Sequence, residues 1–416
     1  MCRKKPLSNC IPINYIHLLL INKLHAEHYE HIKEMGKEML IVFLALIPLS
    51  CAAGEKPIQS KPCEFPAIYN FGDSNSDTGG ISAAFYPPSH PAGETFFHAP
   101  SGRGSDGRLI IDYFAEDLGI PFLHSYLDTL STSYRHGANF ATGGSTIRPQ
   151  NVSMAAGGSS PFSLNIQTAQ FNQFKSRSSK IYNKYKKASY RRRLPKPEDF
   201  ERALYTFDIG QNDIARGMEH LSHEQLMDAI PDMVNQLASS IQNVYYEGGR
   251  SFWIHNTGPI GCLPVTLHYY HESSGGLLDE AGCVKSQNEY ALVFNRELEK
   301  RVGELRKSLK GASLVYVDMY EAKLGLIRAA KDHGFVKADA ICCGYHEDEV
   351  HVYCGRKGVV KEKEIYAGSC ENPGSHISWD GIHYTDAANR WVAVRVMEGL
   401  FSNPPVSFKG ACHAHQ

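Results

Sequence analysis

The segment "FPAIYNFGDSNSDTGG" (65–80) joins a short apolar run to a turn rich in Gly, Asp, Asn and Ser. The apolar run, 65–71, has the length of a buried β-strand, and the residues after it are typical of a turn. Ser74 lies in that turn. A serine in this position is either a nucleophile or an ordinary turn residue that caps a helix. The rest of the chain decides between these two interpretations.

Four more apolar runs of strand length follow along the chain: 136–142, 203–209, 250–256 and 312–318. Helical patterns at 222–247 and 285–310 separate the last three runs. The first pattern opens on Ser222 and Gln225, a capping-box pair, and ends at two glycines. Strands that alternate with helices predict βαβ units, and so a mainly parallel five-stranded sheet with helices on both faces.

Candidate site residues follow four of these predicted strands. Ser74, Gly143, Asn212 and Thr257 each come just after a strand ends. Ligands of open parallel sheets bind at the carboxyl ends of the strands. We therefore expect four site loops at one edge of the sheet.

Two segments interrupt the alternation of strands and helices. One, about 149–197, is rich in Gly and Ser and then becomes basic, and the other, 337–376, carries four cysteines. Both are predicted to be loop insertions that wall a cleft.

A serine nucleophile needs a base, a carboxylate that orients the base, and donors for the oxyanion. The stretch "SWDGIHYTDAANRW" (378–391) places Asp380 and His383 three residues apart, before a helix that Thr385 can cap. At this spacing one turn can direct the carboxylate to one ring nitrogen and leave the other for a serine.

Two further loops offer donors for an oxyanion. Asn212 in "DIGQND" (208–213) follows the third strand, and its side-chain amide can donate. Gly143 and Gly144 in "ANFATGGST" (138–146) follow the second strand, where glycine lets a backbone N–H approach a substrate closely. Each of these pieces is common by chance, but their combination after the correct strands favours catalysis.

With these motifs the chain resembles the plant-type GDSL esterase/lipases of the SGNH hydrolase superfamily, and especially their early-nodulin-like branch. The resemblance covers about residues 63–412. It rests on these stretches: "FGDSNSDTGG", "GRLIIDYFAEDLG", "HGANFATGGSTIRPQN", "YTFDIGQND", "FWIHNTGPIGCLP", "CCG" and "WDGIHYT". It implies a flavodoxin-like three-layer α/β/α fold with neither a metal nor a cofactor.

The resemblance also implies roles for the candidate residues. Ser74 would be the nucleophile, His383 the general base and Asp380 its partner. The oxyanion hole would consist of Asn212 and the N–H groups of Gly143 and Ser74.

Two departures from the family pattern affect this interpretation little. Asn75 replaces the Leu of the family name, and the doubled glycine leaves both Gly143 and Gly144 as candidate donors. Asp73 and Asp77 are rival carboxylates beside the nucleophile. Their position favours bonds to the N–H groups of their own turn.

The N-terminus resembles a targeting segment. A basic lead-in, an apolar core (Met39–Leu49) and small residues up to Gly54 are the three parts of a secretory signal peptide. We assign residues 35–54 to that signal, 1–34 to an upstream extension, and 55–416 to a single hydrolase domain. The localisation predicted from it is extracellular or in the cell wall.

Cysteine usage agrees with secretion. Of the 11 cysteines, three lie before residue 55, which leaves eight. An even number in a secreted chain predicts disulfides, although a zinc cluster is the alternative, and spacing does not determine the pairing. The family resemblance suggests Cys262–Cys283 first. Asn151 is a glycosylation acceptor.

The predicted function is that of a secreted carboxylic-ester hydrolase that works through an acyl-Ser74 intermediate. Its substrate would be a small-molecule or polysaccharide ester. An acyltransferase with the same triad and a non-catalytic carbohydrate-binding or defence protein are the alternatives. A net charge of −1 gives no indication of nucleic-acid binding, no stable membrane insertion is expected, and the sequence indicates no oligomeric state.

One stretch of the chain is strongly basic, although the chain as a whole is nearly neutral. The stretch "KSRSSKIYNKYKKASYRRR" (175–193) holds nine Lys or Arg and no acid. It is either a solvated surface or, by a sharper hypothesis, a patch that holds an anionic substrate near the cleft.

Overall fold

The computed structural model describes residues 61–85, 89–130, 132–150, 160–185, 187–269, 278–347 and 350–413. These residues belong to one compact unit, Gln59–Gln416. The predicted signal peptide, the extension before it and Asn151 lie outside the described residues. Within the described ranges, no helix combines the length and the apolar character that crossing a membrane requires.

The strands are β1 (Ile68–Gly72), β2 (Gly137–Asn139), β3 (Leu204–Asp208), β4 (Ser251–His255), β5 (Ser313–Val317), β6 (Tyr345–Glu347), β7 (Val350–Val352), β8 (Lys357–Val360), β9 (Lys363–Tyr366) and β10 (Ser402–Asn403). The α-helices are α1 (Gly80–Ala84), α2 (Ile110–Asp117), α3 (Leu164–Lys184), α4 (Ala188–Arg191), α5 (Asp199–Arg202), α6 (Gln211–His220), α7 (His223–Tyr246), α8 (Pro264–Tyr269), α9 (Lys285–Ser308), α10 (Met319–Arg328) and α11 (Asp386–Met397).

The central sheet has the strand order β10-β5-β4-β3-β1-β2. The five strands that the sequence predicts, β1 to β5, pair in parallel, which confirms the predicted sheet. Their order, 2-1-3-4-5, is that of flavodoxin-like folds. The short antiparallel strand β10, which pairs with β5 at the edge, was not predicted. Two residues are too few to give a periodic signal.

Alternation along the strands builds two cores. On one face the buried side chains include Tyr69, Phe71 and Phe207, and they pack against α3, α7 and α9. On the other face Ile68 and Trp253 pack against α2, α10 and α11. Successive residues of a strand point to opposite faces, so both faces of a parallel sheet must be covered. The result is the predicted three-layer α/β/α arrangement.

The helix ends follow the local signals. Ser222 caps α7. Its side chain accepts the Gln225 N–H at 3.2 Å, and the Gln225 side chain accepts the Ser222 N–H. Thr385 caps α11 by accepting the Ala388 N–H at 3.2 Å.

The segment 149–197 differs from its prediction. It is not a loop insertion in its main part, because residues 164–184 form the long crossover helix α3, which packs on the sheet. Its inward face carries the polar side chains of Gln167 and Thr168 among Leu164 and Phe171, so the apolar stripe is broken.

The segment 337–376 is an insertion, as predicted. It contains the hairpins β6–β7 and β8–β9. Disulfides Cys342–Cys370 and Cys343–Cys354 hold it.

All eight cysteines after residue 55 form disulfides, because Cys63–Cys412 and Cys262–Cys283 complete the set. The pair suggested by the resemblance is therefore present. His413 and His376 each lie close to one of these disulfides. A cysteine in a disulfide has no thiolate to offer a metal, so the structure supports the disulfides and not the zinc alternative.

Candidate active site

The candidate residues gather at the carboxyl edge of the sheet. Ser74 follows β1 and Asn212 follows β3, the two strands between which the strand order reverses direction. Such a reversal opens a crevice outside the strand ends, where ligands of this fold class bind. Gly143, after β2, borders the same crevice.

Ser74, His383 and Asp380 form one hydrogen-bonded chain. Ser74 Oγ lies 2.8 Å from His383 Nε2, and His383 Nδ1 lies 2.7 Å from Asp380 Oδ2. The other carboxylate oxygen of Asp380 accepts the backbone N–H of His383 at 2.8 Å and that of Ile382 at 3.0 Å. These bonds orient the carboxylate within its own turn, so it presents Oδ2 to the ring.

The electrostatics of this pair suit a general base. Burial opposes a positive charge on the ring, but the Asp380 carboxylate and its hydrogen bond raise the pKa of His383 above the ordinary 6.5. Burial also opposes the charge of Asp380, but His383 and the hydrogen bonds hold its pKa below the ordinary value. A carboxylate that stays ionised beside an imidazole stabilises the imidazolium formed during proton transfer.

The turn that carries Asp380 and His383 is anchored on the disulfide-held insertion. The Trp379 N–H donates to the His383 C=O at 2.8 Å, and the Trp379 C=O accepts the Cys343 N–H at 2.6 Å. A cavity of about 380 Å³, lined by residues that include Pro264, Ile341 and His346, lies between α8 and the insertion. An added Cβ at Gly381 would meet Val265 and Ile341, so the turn packs against the same wall.

The nucleophile turn is held by its own aspartate. Asp73 Oδ1 accepts the Asn75 N–H at 2.9 Å and the Asn75 side-chain amide at 3.0 Å. The Asp73 N–H donates to the Asp208 C=O at 3.2 Å, which ties the turn to the end of β3. Burial and the nearby Asp208 carboxylate raise the pKa of Asp73 to about 7.

Gln167 supports the same turn through two hydrogen bonds to the backbone of Gly72. Its side chain is fully buried, Oε1 accepts the Gly72 N–H at 2.9 Å, and Nε2 donates to the Gly72 C=O at 2.8 Å. The pairing of β1 with β2 stops at Asn70, and beyond it the one backbone contact of Gly72 on that side is the long bond that its C=O accepts from the Thr142 N–H at 3.3 Å, so the Gly72 N–H has no backbone partner among the described residues. The amide of Gln167 supplies the bonds that a longer β2 would otherwise make, two residues before Ser74.

Asp77 joins the nucleophile turn to the glycine loop. Its carboxylate accepts N–H groups of Gly79 and Ile81, at 2.8 and 3.0 Å, and that of Gly80. It also accepts the Gly143 N–H at 2.7 Å. The Gly143 N–H, which was predicted to donate to the oxyanion, is therefore already bonded to Asp77. Nothing in the sequence indicates that Asp77 reaches Gly143.

The other loops contribute unequally. Asn212 Nδ2 donates one hydrogen bond to the Ser145 C=O at 2.8 Å, which fixes the amide; its second hydrogen meets no acceptor among the described residues and is left for a ligand. Thr257 is buried, and its N–H and C=O bond to the Asn295 side chain at 3.0 and 2.9 Å. The backbone of the Thr257 loop is thus occupied by the protein.

The hypothesis that the basic stretch 175–193 lies beside the cleft is wrong. Lys175 pairs with Glu247, just before β4 starts, and the Arg193 C=O accepts the Tyr134 N–H, just before β2 starts. Both contacts lie at the amino edge of the sheet. Helix α3 is about 30 Å long, at 1.5 Å per residue, and it carries the chain from the site's edge of the sheet to the opposite edge.

The sequence reasoning missed Gln167 as a site residue and gave Asp77 only a local role. The available signal for Gln167 was a polar residue on the inward face of a helical pattern, between Leu164 and Phe171. Such a residue has to find partners when buried. Ser105 was also missed, and it supports the histidine turn by donating to the Tyr384 C=O at 2.9 Å.

Comparisons with known proteins agree with this geometry. The family model described as GDSL-like lipase/acylhydrolase matches residues 68–396. A GDSL esterase/lipase of Arabidopsis thaliana is 56% identical over 84% of this chain and 90% of that protein. Alpha-L-fucosidase 3 of Arabidopsis thaliana is 43% identical over 86% of this chain and 97% of that protein. The GDSL esterase/lipase ENOD8 of Medicago truncatula is 42% identical over 91% of this chain and 98% of that protein.

The matched region runs from the start of β1 into α11 and contains the crevice with Ser74, Asn212 and His383. It accounts for most of the chain, and the relatives match over nearly their whole lengths. The chain therefore belongs to the GDSL-like lipase/acylhydrolase family and is an ester hydrolase.

Proposed function

We propose that this protein is a secreted carboxylic-ester hydrolase that acts through a covalent acyl-Ser74 intermediate. The observation that carries the proposal is the hydrogen-bonded chain from Asp380 through His383 to Ser74, with spacings of 2.7 and 2.8 Å. A nucleophile, a base and an orienting carboxylate within hydrogen-bond reach are the signature of acyl transfer through serine.

The reaction follows from these three groups. Ser74 Oγ forms a bond to the ester carbonyl carbon while His383 Nε2 takes its proton. The tetrahedral oxyanion collapses, the bond to the alcohol breaks, and the alcohol leaves with the proton from His383. Water then attacks the acyl-enzyme while His383 takes its proton; the bond to Ser74 Oγ breaks, the acid leaves, and His383 returns the proton to Ser74 Oγ.

The oxyanion would be held by three N–H groups. Asn212 has one free amide hydrogen, and the Ser74 N–H donates to no acceptor among the described residues. Of the two glycine candidates, Gly143 is engaged by Asp77, whereas no described acceptor takes the Gly144 N–H. We therefore assign the third donor to Gly144 in place of Gly143.

The fucosidase name of one relative raises glycoside hydrolysis as a second activity. A glycosidase usually places two carboxyl groups on either side of the bond, about 5–10 Å apart. Here Asp380 is committed to His383, and Asp73 is buried and bonded to Asn75. The side chains at the crevice therefore favour ester hydrolysis.

The test is covalent labelling with a fluorophosphonate, followed by peptide mass spectrometry. Ser74 is expected to carry the label, and Ser74→Ala and His383→Ala are expected to lose both labelling and 4-nitrophenyl acetate hydrolysis. Ser82→Ala, at the partly exposed helix α1, is the control and should behave like wild type. A Ser74→Ala protein with normal turnover would refute the mechanism.

Two added measurements separate the alternatives. New ester formed when an alcohol is added would identify an acyltransferase. No turnover of any ester or of 4-nitrophenyl α-L-fucoside would support a non-catalytic protein. A screen of acetylated polysaccharides and acyl chains of graded length would then identify the substrate, either a small molecule or a polymer.

Secretion is the second part of the proposal, and the signal-peptide pattern at 35–54 supports it together with the four disulfides. The mature protein should begin near Gly54, and Asn151 should carry a glycan. N-terminal sequencing that finds residues 1–34 on the mature protein would contradict this assignment.

A further inference from the structure

A second cavity lies at the amino edge of the sheet, opposite the catalytic crevice. Its volume is about 410 Å³, which is in the range of small-molecule sites. The floor is Phe174, which is buried, and its ring lies 5.3 Å from that of Tyr134 and 6.1 Å from that of Tyr126. Leu127, Ile181 and Leu194 complete the apolar part of the lining.

This cavity is separate from the catalytic site. Phe174, Arg177 and Ile181 lie on α3, on the part of the helix that leads away from Gln167 and the nucleophile turn. The ten residues from Gln167 to Arg177 correspond to about 15 Å along the helix axis. A ligand in the cavity therefore does not touch Ser74 or His383.

The charge around the cavity is positive. Arg177 is its one charged lining residue among those described, and in the described part of the chain its guanidinium forms neither an ion pair nor a hydrogen bond. Lys180 and Lys184 follow it on the exposed side of α3, and Arg193 precedes Leu194. Lys175 is neutralised by Glu247, but these cations have no such partner within the described ranges.

One acid lies beside the cavity, and its single charge is outnumbered by these four cations. Asp128 lies between the lining residues Leu127 and Thr129, and its carboxylate accepts the Leu130 N–H at 3.1 Å. The bond holds the Asp128 carboxylate against its own loop and leaves its negative charge in place. An apolar hollow with a free guanidinium at its rim suits a molecule with an apolar body and one anionic end.

We infer that this cavity is a binding site for an amphiphilic carboxylate, whose alkyl chain fills the hollow while its carboxylate pairs with Arg177. Fatty acids have this chemistry, and hydrolysis of a long-chain acyl ester releases them. The site goes beyond the proposed reaction and does not depend on it, because none of its residues belongs to the triad or the oxyanion loops.

The affinity should depend on chain length and charge. Each methylene that enters the hollow should tighten binding about fourfold until the volume is filled. Removal of the exposed Arg177 charge should weaken carboxylate binding about two- to fivefold, the range of a solvent-accessible ion pair. It should leave binding of an uncharged alcohol of the same length unchanged.

The experiment is calorimetric titration of the purified full chain with hexanoate, octanoate and decanoate below their aggregation concentrations, with decanol as the neutral probe. Arg177→Gln removes the charge and Ile181→Glu places an acid at the mouth. Lys300→Gln, an exposed cation on α9, is the matched control. All three variants should hydrolyse 4-nitrophenyl acetate at the wild-type rate, which shows that they are folded.

The proposal expects decanoate to bind wild type and the control equally, Arg177→Gln two- to fivefold more weakly, and Ile181→Glu at least tenfold more weakly. Binding at the catalytic edge is common to all variants, so the differences report the cavity. Equal decanoate affinity in all four proteins would overturn the proposal. So would binding to anionic phospholipid vesicles without binding of dissolved decanoate, or a dimer that Ile181→Glu dissociates.

Discussion

Replacement of Gln167 by methionine should impair catalysis although the side chain does not touch the substrate. Methionine has a similar length and no polar group that could replace the amide. The change removes both bonds to Gly72 and the bond from Nε2 to the Phe162 C=O at 3.0 Å. The Gly72 C=O keeps the Thr142 N–H at 3.3 Å, and the Phe162 C=O keeps the Ser145 hydroxyl at 3.0 Å. The Gly72 N–H is left without an acceptor.

The magnitude follows from this count. One orphaned buried N–H costs about 1–3 kcal/mol, and each of the two other lost bonds about 0.5–1.5 kcal/mol. The free energy of unfolding should therefore fall by about 2–6 kcal/mol. Since the lost bonds position Gly72, the turn with Ser74 can move, and a misplacement of about 1 Å costs about 10²-fold in rate. We expect kcat to fall about 10- to 100-fold with KM little changed.

The assay combines urea unfolding with steady-state hydrolysis of 4-nitrophenyl acetate by the folded fraction. Gln170→Met is the matched control on the same helix, because the buried Oε1 of Gln170 has no hydrogen-bond partner among the described residues. It should change neither stability nor kcat appreciably. If Gln167→Met loses stability but keeps the wild-type kcat per folded molecule, Gln167 has a structural role only. Equal behaviour of the two variants would refute the reasoning altogether.

Three other predictions concern the crevice. Hydrolysis needs the neutral His383 ring, so activity should rise with pH; since Asp380 raises the pKa of His383, the midpoint should lie above 6.5, and Asp380→Asn should move it downward in a pH–rate profile. Asn212→Ala should lower kcat by about 10²–10³, measured at saturating ester, whereas equal kcat would exclude it as an oxyanion donor. The paired replacement Cys343→Ser/Cys354→Ser should lower kcat by a larger free energy than it lowers the free energy of unfolding in urea, because the disulfide holds residue 343, whose N–H anchors the turn of Asp380. Unchanged kcat would show that the anchor is dispensable.

The sheet was predictable because parallel strands carry a strong local signal. In β1, β3, β4 and β5 the residues are buried on both faces, so each strand appears in the sequence as a continuous apolar run. The helices α7 and α9 have long amphipathic patterns and glycine stops. Ser74 and Asn212 could be named for the same reason, since they follow β1 and β3, whereas Asp380 and His383 were named from their spacing just before a predicted helix.

Long-range side-chain contacts could not be predicted from such local signals. Gln167 bonds to a residue 95 positions away, and the Gly143 N–H bonds to Asp77 across 66 positions. Nothing in a glycine loop or a polar helix residue indicates which partner satisfies it. The pairing of the eight cysteines had the same difficulty, because it depends on which loops the fold brings together.

The location of the basic stretch, in contrast, follows from the predicted topology. A chain that leaves the carboxyl end of one parallel strand must run back along a face of the sheet and enter the next strand at its amino end. Residues 175–193 lie in the second half of the connection between β2 and β3, so they must lie near the amino edge. The same rule places Asn212, which follows β3, at the catalytic edge. Sequence distance from a site residue is therefore a poor guide to spatial distance in this fold, whereas the side of the strand on which a residue falls is a good one.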